Sequence, residues 1–312
     1  MGTHTRREFL GAAVTSAAMA ASGKIASADG PQFWIAALTM LDRRGRFDDA
    51  LTKDYLALLA AGGADGVLVL GTTGEFSSFS VKERKQILES HVRHKGKLAI
   101  MCQTATPNVP ETLELVDHAA SAGAGSVLVL PPFYYKNPSL EGLAAFYEPI
   151  LRASKVPALL YNIPQLSGVA ITAELLRRLS PFEKLYGIKD SFSKADAMVA
   201  FIKEFPKLKI LTGAPGNVAV NLRQGGAGAI TGNGSVFLRE TTAIFEAFRK
   251  GGDPEAAQSR FNDVAKALAG YDGIPAMKYV LGRKGLRESP CRPPFAELPE
   301  SKKRELDAKF RI

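Results

Sequence analysis

The chain is poor in cysteine and in long apolar runs, and each shortage excludes a class of protein. Its 312 residues include two cysteines, Cys102 and Cys291, which are too few for a disulfide framework and stand in no Cys-x-x-Cys or His-rich ligand spacing. No stretch approaches the ~20 consecutive apolar residues of a membrane-spanning helix. We therefore expect no disulfide scaffold, no metal site built on cysteine, and no association with a membrane.

The chain also lacks a concentrated basic segment, although its net charge is +9. Its 40 lysines and arginines are interspersed with 31 acidic residues, and no basic stretch is interleaved with aromatic residues. Surfaces that bind nucleic acid concentrate their positive charge on one face or segment. We interpret the charge as a solvated basic surface and expect no nucleic-acid partner.

The first 28 residues have the pattern of an export signal. Arg6 and Arg7 precede a weakly apolar stretch (10–21) and a small-residue Ala-Ser-Ala cleavage site (26–28). This order predicts the twin-arginine route and a periplasmic or secreted protein, or a cytoplasmic one if the signal is not used. The alternative is an N-terminal extension that carries two arginines by chance. Residues 29–312 then form one large domain.

Short apolar runs alternate with helical patterns throughout this domain. The runs are apolar at every position, which is typical of parallel strands covered on both faces. There are eight of them, at 34–40, 65–70, 97–103, 125–130, 157–162, 186–190, 208–213 and 228–231. Helical patterns lie between them, for example at 81–94 and 140–154.

Eight such units predict an α/β fold, a closed (β/α)8 TIM barrel. The runner-up is an open doubly wound sheet, but no G-x-G-x-x-G follows the first strand and eight near-equal units favour closure. Residues from about 253 to 312 continue as further helices, which a barrel does not need. We expect them to form an appended C-terminal helical segment.

Two reactive side chains stand at the ends of the fifth and sixth predicted strands, Tyr161 and Lys189. In these barrels the working face is built from the C-terminal strand ends, so the two are expected side by side. Burial disfavours the charged form of a lysine and makes its amine nucleophilic, able to form an imine with a ketone. The alternative is a structural lysine paired with a carboxylate, but Asp190 is expected to face the other way.

Imine chemistry needs a proton shuttle, and the phenol of Tyr161 can supply it if other hydroxyls relay protons to it. Thr72 and Tyr134 are candidates, since both follow predicted strands on the same face. The alternative for Tyr161 is a core tyrosine bonded to backbone.

The segment Gly71-Thr72-Thr73-Gly74-Glu75 follows the second strand. Its small residues, hydroxyls and backbone amides are suited to a carboxylate, the group that a 2-oxo acid presents. We assign Gly71 and Thr73 to substrate binding, and add Gly213 and, from the glycine-rich segment 225–234, Ile230 as lining of the pocket floor. The alternative is an ordinary glycine-containing turn.

Together GTTGE, PPFYY, YNIP and GIKD, in this order on these strands, resemble the dihydrodipicolinate synthase / N-acetylneuraminate lyase family of class I Schiff-base aldolases. The resemblance extends over nearly the whole domain, to the segment CRPPF (291–295). It implies that Lys189 is the imine lysine, Tyr161 the proton shuttle, and Thr72 and Tyr134 its relay partners. It also implies pyruvate and an aldehyde as substrates, no metal or organic cofactor, and a homodimer or homotetramer in which Tyr134 crosses a subunit interface.

Three departures from the family pattern bear on the second substrate. Leu166 stands where the lysine-pathway synthases have an arginine, and Ala214-Pro215-Gly216 offers none of the acidic groups of sialic acid enzymes. The first strand ends Thr39-Met40 where Thr-Pro is usual. These positions predict a small or relatively apolar acceptor. A synthase-like enzyme or sugar-acid hydro-lyase using the same imine, and a non-catalytic exported 2-oxo acid binding protein, stay as alternatives.

Overall fold

Eight parallel strands form a closed barrel in sequence order, in a computed structural model that describes residues 30–192 and 194–311. The strands are β1 Gln32–Ala36, β2 Gly66–Val69, β3 Ala99–Gln103, β4 Ser126–Val129, β5 Ala158–Asn162, β6 Leu185–Asp190, β7 Lys209–Thr212 and β8 Gly228–Thr231. Pairing of β8 with β1 closes the barrel, and the predicted TIM barrel is confirmed. The export signal predicted at 1–28 lies outside the described residues and stays a prediction.

The first strand is the one whose predicted bounds differ most from the structure. β1 ends at Ala36, four residues before the apolar run does. Residues 37–41 stay buried as irregular chain, and Leu41 forms an isolated bridge with Phe47. A continuous apolar run indicates burial on all sides, whether or not the backbone stays in the sheet. The strand predicted from this run was therefore too long at its C-terminal end.

Helices follow the strands and surround the barrel, as the alternation predicts. They are α1 Asp49–Ala61, α2 Val81–His94, α3 Val109–Ala122, α4 Leu140–Ala153, α5 Pro164–Ser167, α6 Ala173–Leu179, α7 Ala195–Glu204, α8 Val218–Arg223 and α9 Leu238–Arg249. Short 3-10 turns span Phe76–Ser78, Pro215–Asn217 and Asn233–Ser235. Local chemistry fixes where α2 begins, because Ser80 and Glu83 form a reciprocal capping box.

Three more helices follow α9, which confirms the appended C-terminal segment. They are α10 Glu255–Ala265, α11 Gly273–Arg283 and α12 Glu300–Phe310, with a 3-10 turn at Lys266–Leu268. Phe261 of α10 packs edge-on against Phe237, which in turn stacks on Phe310 of α12. Within the described residues, no helix is long and apolar enough to cross a membrane.

Close strand contacts in the barrel depend on inward-facing glycines, among them Gly66 and Gly187. A Cβ added at Gly66 would lie 2.5 Å from the ring of the buried Trp34, and one at Gly187 would lie 2.1 Å from the carbonyl oxygen of Lys209. Atoms of the neighbouring backbone cannot yield as a flexible side chain can. Gly187 therefore fixes how closely β6 approaches β7 beneath the end of β6.

We expect Gly187→Ala to lower the free energy of unfolding by about 1–3 kcal/mol or more, because the added methyl overpacks a backbone contact. Gly273→Ala is the matched control, since a Cβ at Gly273 meets no atom within 4 Å. Urea unfolding of both variants measures the difference. Equal stability of the two variants would contradict the close contact between β6 and β7.

Candidate active site

Lys189 and Tyr161 lie side by side at the C-terminal ends of adjacent strands. They are register partners between β5 and β6, and each is 3% exposed. The Lys189 Nζ lies 4.2 Å from the centre of the Tyr161 ring. The structure thus brings together the amine and the phenol that the sequence analysis singled out.

Asp190 does not pair with Lys189 in the structure. Its side chain is fully buried, and its Oδ1 accepts a hydrogen bond from Asn162 Nδ2 at 2.7 Å. Its Oδ2 has no hydrogen-bond partner among the described residues, and burial raises the pKa of this carboxyl group. Within the described part of the chain, Lys189 forms no salt bridge with a carboxylate, as strand alternation predicts.

The Tyr161 hydroxyl is surrounded by groups that stabilise its ionised form. Burial raises the pKa of Tyr161. The positive charge of Lys189 and hydrogen bonds with Thr72, Ser191 and Lys189 lower this pKa by more than burial raises it, so the pKa lies below the usual 10.0. The Thr72 Oγ1 is 3.4 Å from the Tyr161 hydroxyl. A phenol that gives up its proton more readily is better suited to shuttle one.

Ser191 is a site residue that the sequence analysis missed. It follows β6 directly and hydrogen-bonds to Tyr161. A Cβ added at Gly213 would lie 1.9 Å from Ser191 Oγ and 3.0 Å from Lys189 Cε. Gly213, predicted to line the pocket, therefore leaves room for the serine hydroxyl and the lysine. The available signal was a hydroxyl residue immediately after a strand end that carries a reactive lysine.

The turn from Gly71 to Glu75 stands at the end of β2, with Thr72 close to Tyr161. The amides of Gly74 and Glu75 donate within the turn, to the carbonyls of Gly71 and Thr72 at 3.0 Å each. At most the amides of Gly71, Thr72 and Thr73 are then left for a ligand. Of the backbone amides predicted to bind a carboxylate, only those in the first half of the turn can therefore do so.

The loop after β8 approaches the same turn. A Cβ added at Gly232 would lie 2.7 Å from the Thr73 Oγ1. Ile230 is buried, and the strand register shows which way it faces. The inward-facing Lys189 pairs with Leu211 on β7, and Leu211 pairs with Gly228 on β8, so Gly228 also faces inward. Ile230 is two residues after Gly228 and shares its face. Ile230 and Thr73 thus belong to the same end of the barrel as Lys189.

Tyr134 is the predicted site residue that a single chain does not bring to the site. Its side chain is 74% exposed on the loop after β4, beside the equally exposed Tyr135, with ring centres 5.3 Å apart. The described residues of the chain provide no hydrogen-bond partner for the Tyr134 hydroxyl. Lys136 anchors the loop by donating to the carbonyl of Ser167 at 3.2 Å.

No group of three or more His, Cys, Asp or Glu side chains that could hold a metal ion occurs among residues 30–192 and 194–311. The described site is instead built from an amine, hydroxyls and backbone amides. A family model described as the dihydrodipicolinate synthetase family matches residues 32–312. The chain belongs to this family. Its fold and its four strand-end motifs now have a common explanation.

Two curated relatives and one solved structure illustrate this membership. The chain is 37% identical over 271 residues to an uncharacterized DapA-like lyase of Chloroflexus aurantiacus, covering 85% of this chain and 91% of the relative. It is 31% identical over 281 residues to a 4-hydroxy-tetrahydrodipicolinate synthase of Bartonella quintana, covering 88% and 94%. Like its family, the chain is a lyase.

The structure is also similar to that of YagE, a prophage protein of the dihydrodipicolinic acid synthase family from E. coli, solved in complex with pyruvate. The TM-score is 0.83 at 26% sequence identity, and the match covers 90% of this chain and 97% of the other. The family fold therefore extends over the C-terminal helices as well as the barrel.

We expect Tyr161 to ionise below pH 10.0, and Lys189→Met to raise its pKa, because removing a nearby positive charge destabilises the phenolate. Ultraviolet titration of the wild type minus Tyr161→Phe isolates this group. Tyr147→Phe is the control, since burial raises the pKa of Tyr147 well above 10.0. Removing the Tyr147 hydroxyl should therefore leave the titration curve below pH 10.0 unchanged. A Tyr161 titration unaffected by Lys189→Met would contradict the contact.

Proposed function

We propose that this family member is a pyruvate-dependent class I aldolase that forms a Schiff base between Lys189 and a 2-oxo acid and then cleaves or makes a carbon–carbon bond. One observation supports this most directly: Lys189 is buried without a carboxylate partner and lies against Tyr161, whose pKa is lowered. A buried amine beside a proton-donating phenol is what imine formation requires. The pyruvate bound to the related E. coli protein supports the substrate class.

In the proposed reaction, the Lys189 amine attacks the ketone carbon in its unprotonated form and gives a carbinolamine. Tyr161 gives a proton to the hydroxyl group that departs as water, leaving the protonated imine. The Tyr161 phenolate takes the proton of the hydroxyl group on the fourth carbon, and the imine withdraws the electron pair of the bond between the third and fourth carbons. This bond then breaks, an aldehyde leaves and an enamine forms. Protonation of the enamine and hydrolysis of the imine release pyruvate and restore Lys189.

Two hydroxyl groups of the same chain can exchange protons with the Tyr161 hydroxyl. Thr72 lies 3.4 Å from it, and Ser191 hydrogen-bonds to it beside Gly213. In the proposed mechanism they hold Tyr161 in place and pass protons between it and the carbinolamine oxygen. Thr73 and the amides of Gly71 and Thr72 bind the carboxylate, while Ile230 packs beneath the three-carbon unit.

Two rim residues on α5 carry no charge. Leu166 is 61% exposed, and the neighbouring Gln165 donates to the backbone carbonyl of Ser191 at 2.9 Å. Lys136, on the loop after β4, donates to the carbonyl of Ser167 on the same helix. Without a charged group at Gln165 or Leu166, a carboxylate-bearing or polyhydroxyl acceptor has fewer partners, which favours a small or relatively apolar aldehyde. A synthase or hydro-lyase would use the same imine and differ in its products.

We further propose that the enzyme is a homodimer or homotetramer in which Tyr134 enters a neighbouring subunit's site. Three of the large apolar side chains that are exposed in the described chain lie on the working face: Tyr134 and Tyr135 on the loop after β4, and Leu166 on α5. Aromatic residues exposed on anchored loops are typical of subunit interfaces.

The imine is tested by incubating the protein with pyruvate and borohydride and measuring its intact mass. We expect a reduced pyruvyl adduct on the wild type and none on Lys189→Ala, because reduction traps only an imine. Lys209→Ala, on the neighbouring strand β7 but exposed, should retain the adduct. A folded wild type without an adduct would reject the imine and favour the non-catalytic binding protein.

The interface role predicts that Tyr134→Phe lowers turnover by about a hundredfold or more while leaving the borohydride adduct intact, because a lost proton relay slows catalysis without removing the amine. Turnover is measured by pyruvate release from a panel of 2-oxo-4-hydroxy acids. Tyr135→Phe is the matched variant on the same loop. If only Tyr135→Phe lowered turnover, Tyr135 and not Tyr134 would be the proton relay. A monomeric protein with full turnover would show that no tyrosine from a neighbouring subunit is needed.

A further inference from the structure

A buried ion pair joins the C-terminal helices to the turn at the end of β2. Glu75, the last residue of the GTTGE turn, lies 2.5 Å through its Oε1 from the Nζ of Lys278 on α11. The two side chains are 0% and 1% exposed. Lys278 also donates to the carbonyl of Pro290 at 2.7 Å. A charge pair this deeply buried is costly to break, because removing one partner leaves the other charge without compensation.

The C-terminal segment holds the other side of the same carboxylate. The backbone amide of Arg292 donates to Glu75 Oε2 at 2.8 Å, and the Cys291 thiol also hydrogen-bonds to Glu75. The Arg292 guanidinium donates to the carbonyl of Ser78 at 3.0 Å and to Glu83 at 2.7 Å. Residues far apart in sequence thus hold both the end of the turn and the chain that follows it.

The turn itself has an unfavourable backbone at both ends. Leu70 and Glu75 adopt positive φ angles of 58° and 56°, a region in which residues other than glycine are strained. Such strain persists where surrounding contacts enforce it, and it is common at ligand-binding sites. One contact comes from the barrel side, where the Thr39 hydroxyl donates to the Gly74 carbonyl at 2.7 Å. The Glu75–Lys278 pair holds the next residue, at the same end of the turn.

We propose that Lys278 and Glu75 form a positioning pair through which the C-terminal helices hold the Gly71–Glu75 turn in the conformation that binds the substrate carboxylate. The inference rests on the proposed function, since it assigns this turn to the 2-oxo acid. It goes further in giving the appended helices a role in substrate affinity. Lys278 contacts neither the substrate nor Lys189; it acts through Glu75 and the turn.

This arrangement predicts a selective effect on affinity. Lys189 stands on β6 and Tyr161 on β5, and their direct contact involves neither Glu75 nor Lys278. Relaxation of the turn should displace Thr73 and the amides of Gly71 and Thr72. Carboxylate binding then weakens, while the imine still forms once pyruvate is saturating.

The experiment measures the half-saturating pyruvate concentration for borohydride trapping, together with the melting temperature, in the full-length protein. We expect Glu75→Gln and Lys278→Met each to raise that concentration at least about tenfold, since small displacements of binding groups have large effects. The final extent of adduct at saturating pyruvate should equal that of the wild type. The double variant, which buries no unpaired charge, should be more stable than either single variant yet keep the weakened affinity.

Two control variants separate positioning from simple stability. Lys278→Arg retains the charge and should restore most of the affinity lost in Lys278→Met. Arg283→Gln removes a salt bridge with Asp307, 3.2 Å long, on the same helix α11 but away from the turn, and should lower the melting temperature without changing half-saturation. If Lys278→Met does not fold, Glu75→Gln decides, because it keeps the shape of the side chain and can still accept from Arg292.

The outcomes distinguish this inference from the proposed function. Variants that melt earlier but trap pyruvate with wild-type half-saturation would overturn the positioning role and leave the aldolase intact. A wild type that binds pyruvate by calorimetry without forming an adduct would reject the imine, and the same variants would then be compared by calorimetry. A wild type that neither traps nor binds pyruvate would overturn both.

Discussion

The site depends on one constraint, which is that a lysine amine is kept inside the barrel without a carboxylate beside it. Strand alternation supplies this directly, because Lys189 and Asp190 are neighbours in sequence yet face opposite sides of β6. On its own side, Asp190 accepts a hydrogen bond through Oδ1 from Asn162, the residue that follows Tyr161 on β5. The same pair of strands thus carries two pairings, one between Tyr161 and Lys189 on the inside and one between Asn162 and Asp190 on the outside. Each fixes the register in which the other forms.

Charge and hydroxyl groups then act on Tyr161 in the same direction. Burial alone would make its phenol a poorer acid, and the neighbouring amine reverses that effect. Ser191 reaches the phenol because Gly213 has no side chain, and Thr72 reaches it because the turn after β2 folds over the mouth. Three strand ends, distant in sequence, therefore converge on one hydroxyl group. The turn is in turn held by α11, so the appended helices belong to the site as much as the loops do.

Much of this arrangement was accessible from the sequence, for identifiable physical reasons. Continuous apolar runs gave the eight strands, and polar residues at their ends gave Lys189, Tyr161 and Thr72, because the ends of parallel strands meet on one face. Two features could not be predicted from the sequence: Ser191, whose place beside Tyr161 depends on the space left by Gly213, and the Glu75–Lys278 pair, whose members are 203 residues apart. No local pattern encodes contacts of that kind. The predicted bounds of β1 were wrong because the chain stays buried after Ala36 although it no longer pairs in the sheet.

The close approach of β6 to β7 at Gly187 has a further consequence for how such a protein can change. Strands that touch backbone to backbone leave little freedom to widen that sector, so the position of Lys189 on β6 relative to β7 is fixed. The rim residues Gln165 and Leu166 lie outside this contact, on α5. A substitution at either rim residue can therefore change the surface that a ligand meets without moving Lys189. In the reaction proposed above, recognition of the acceptor and formation of the imine are thus carried by separate parts of the barrel.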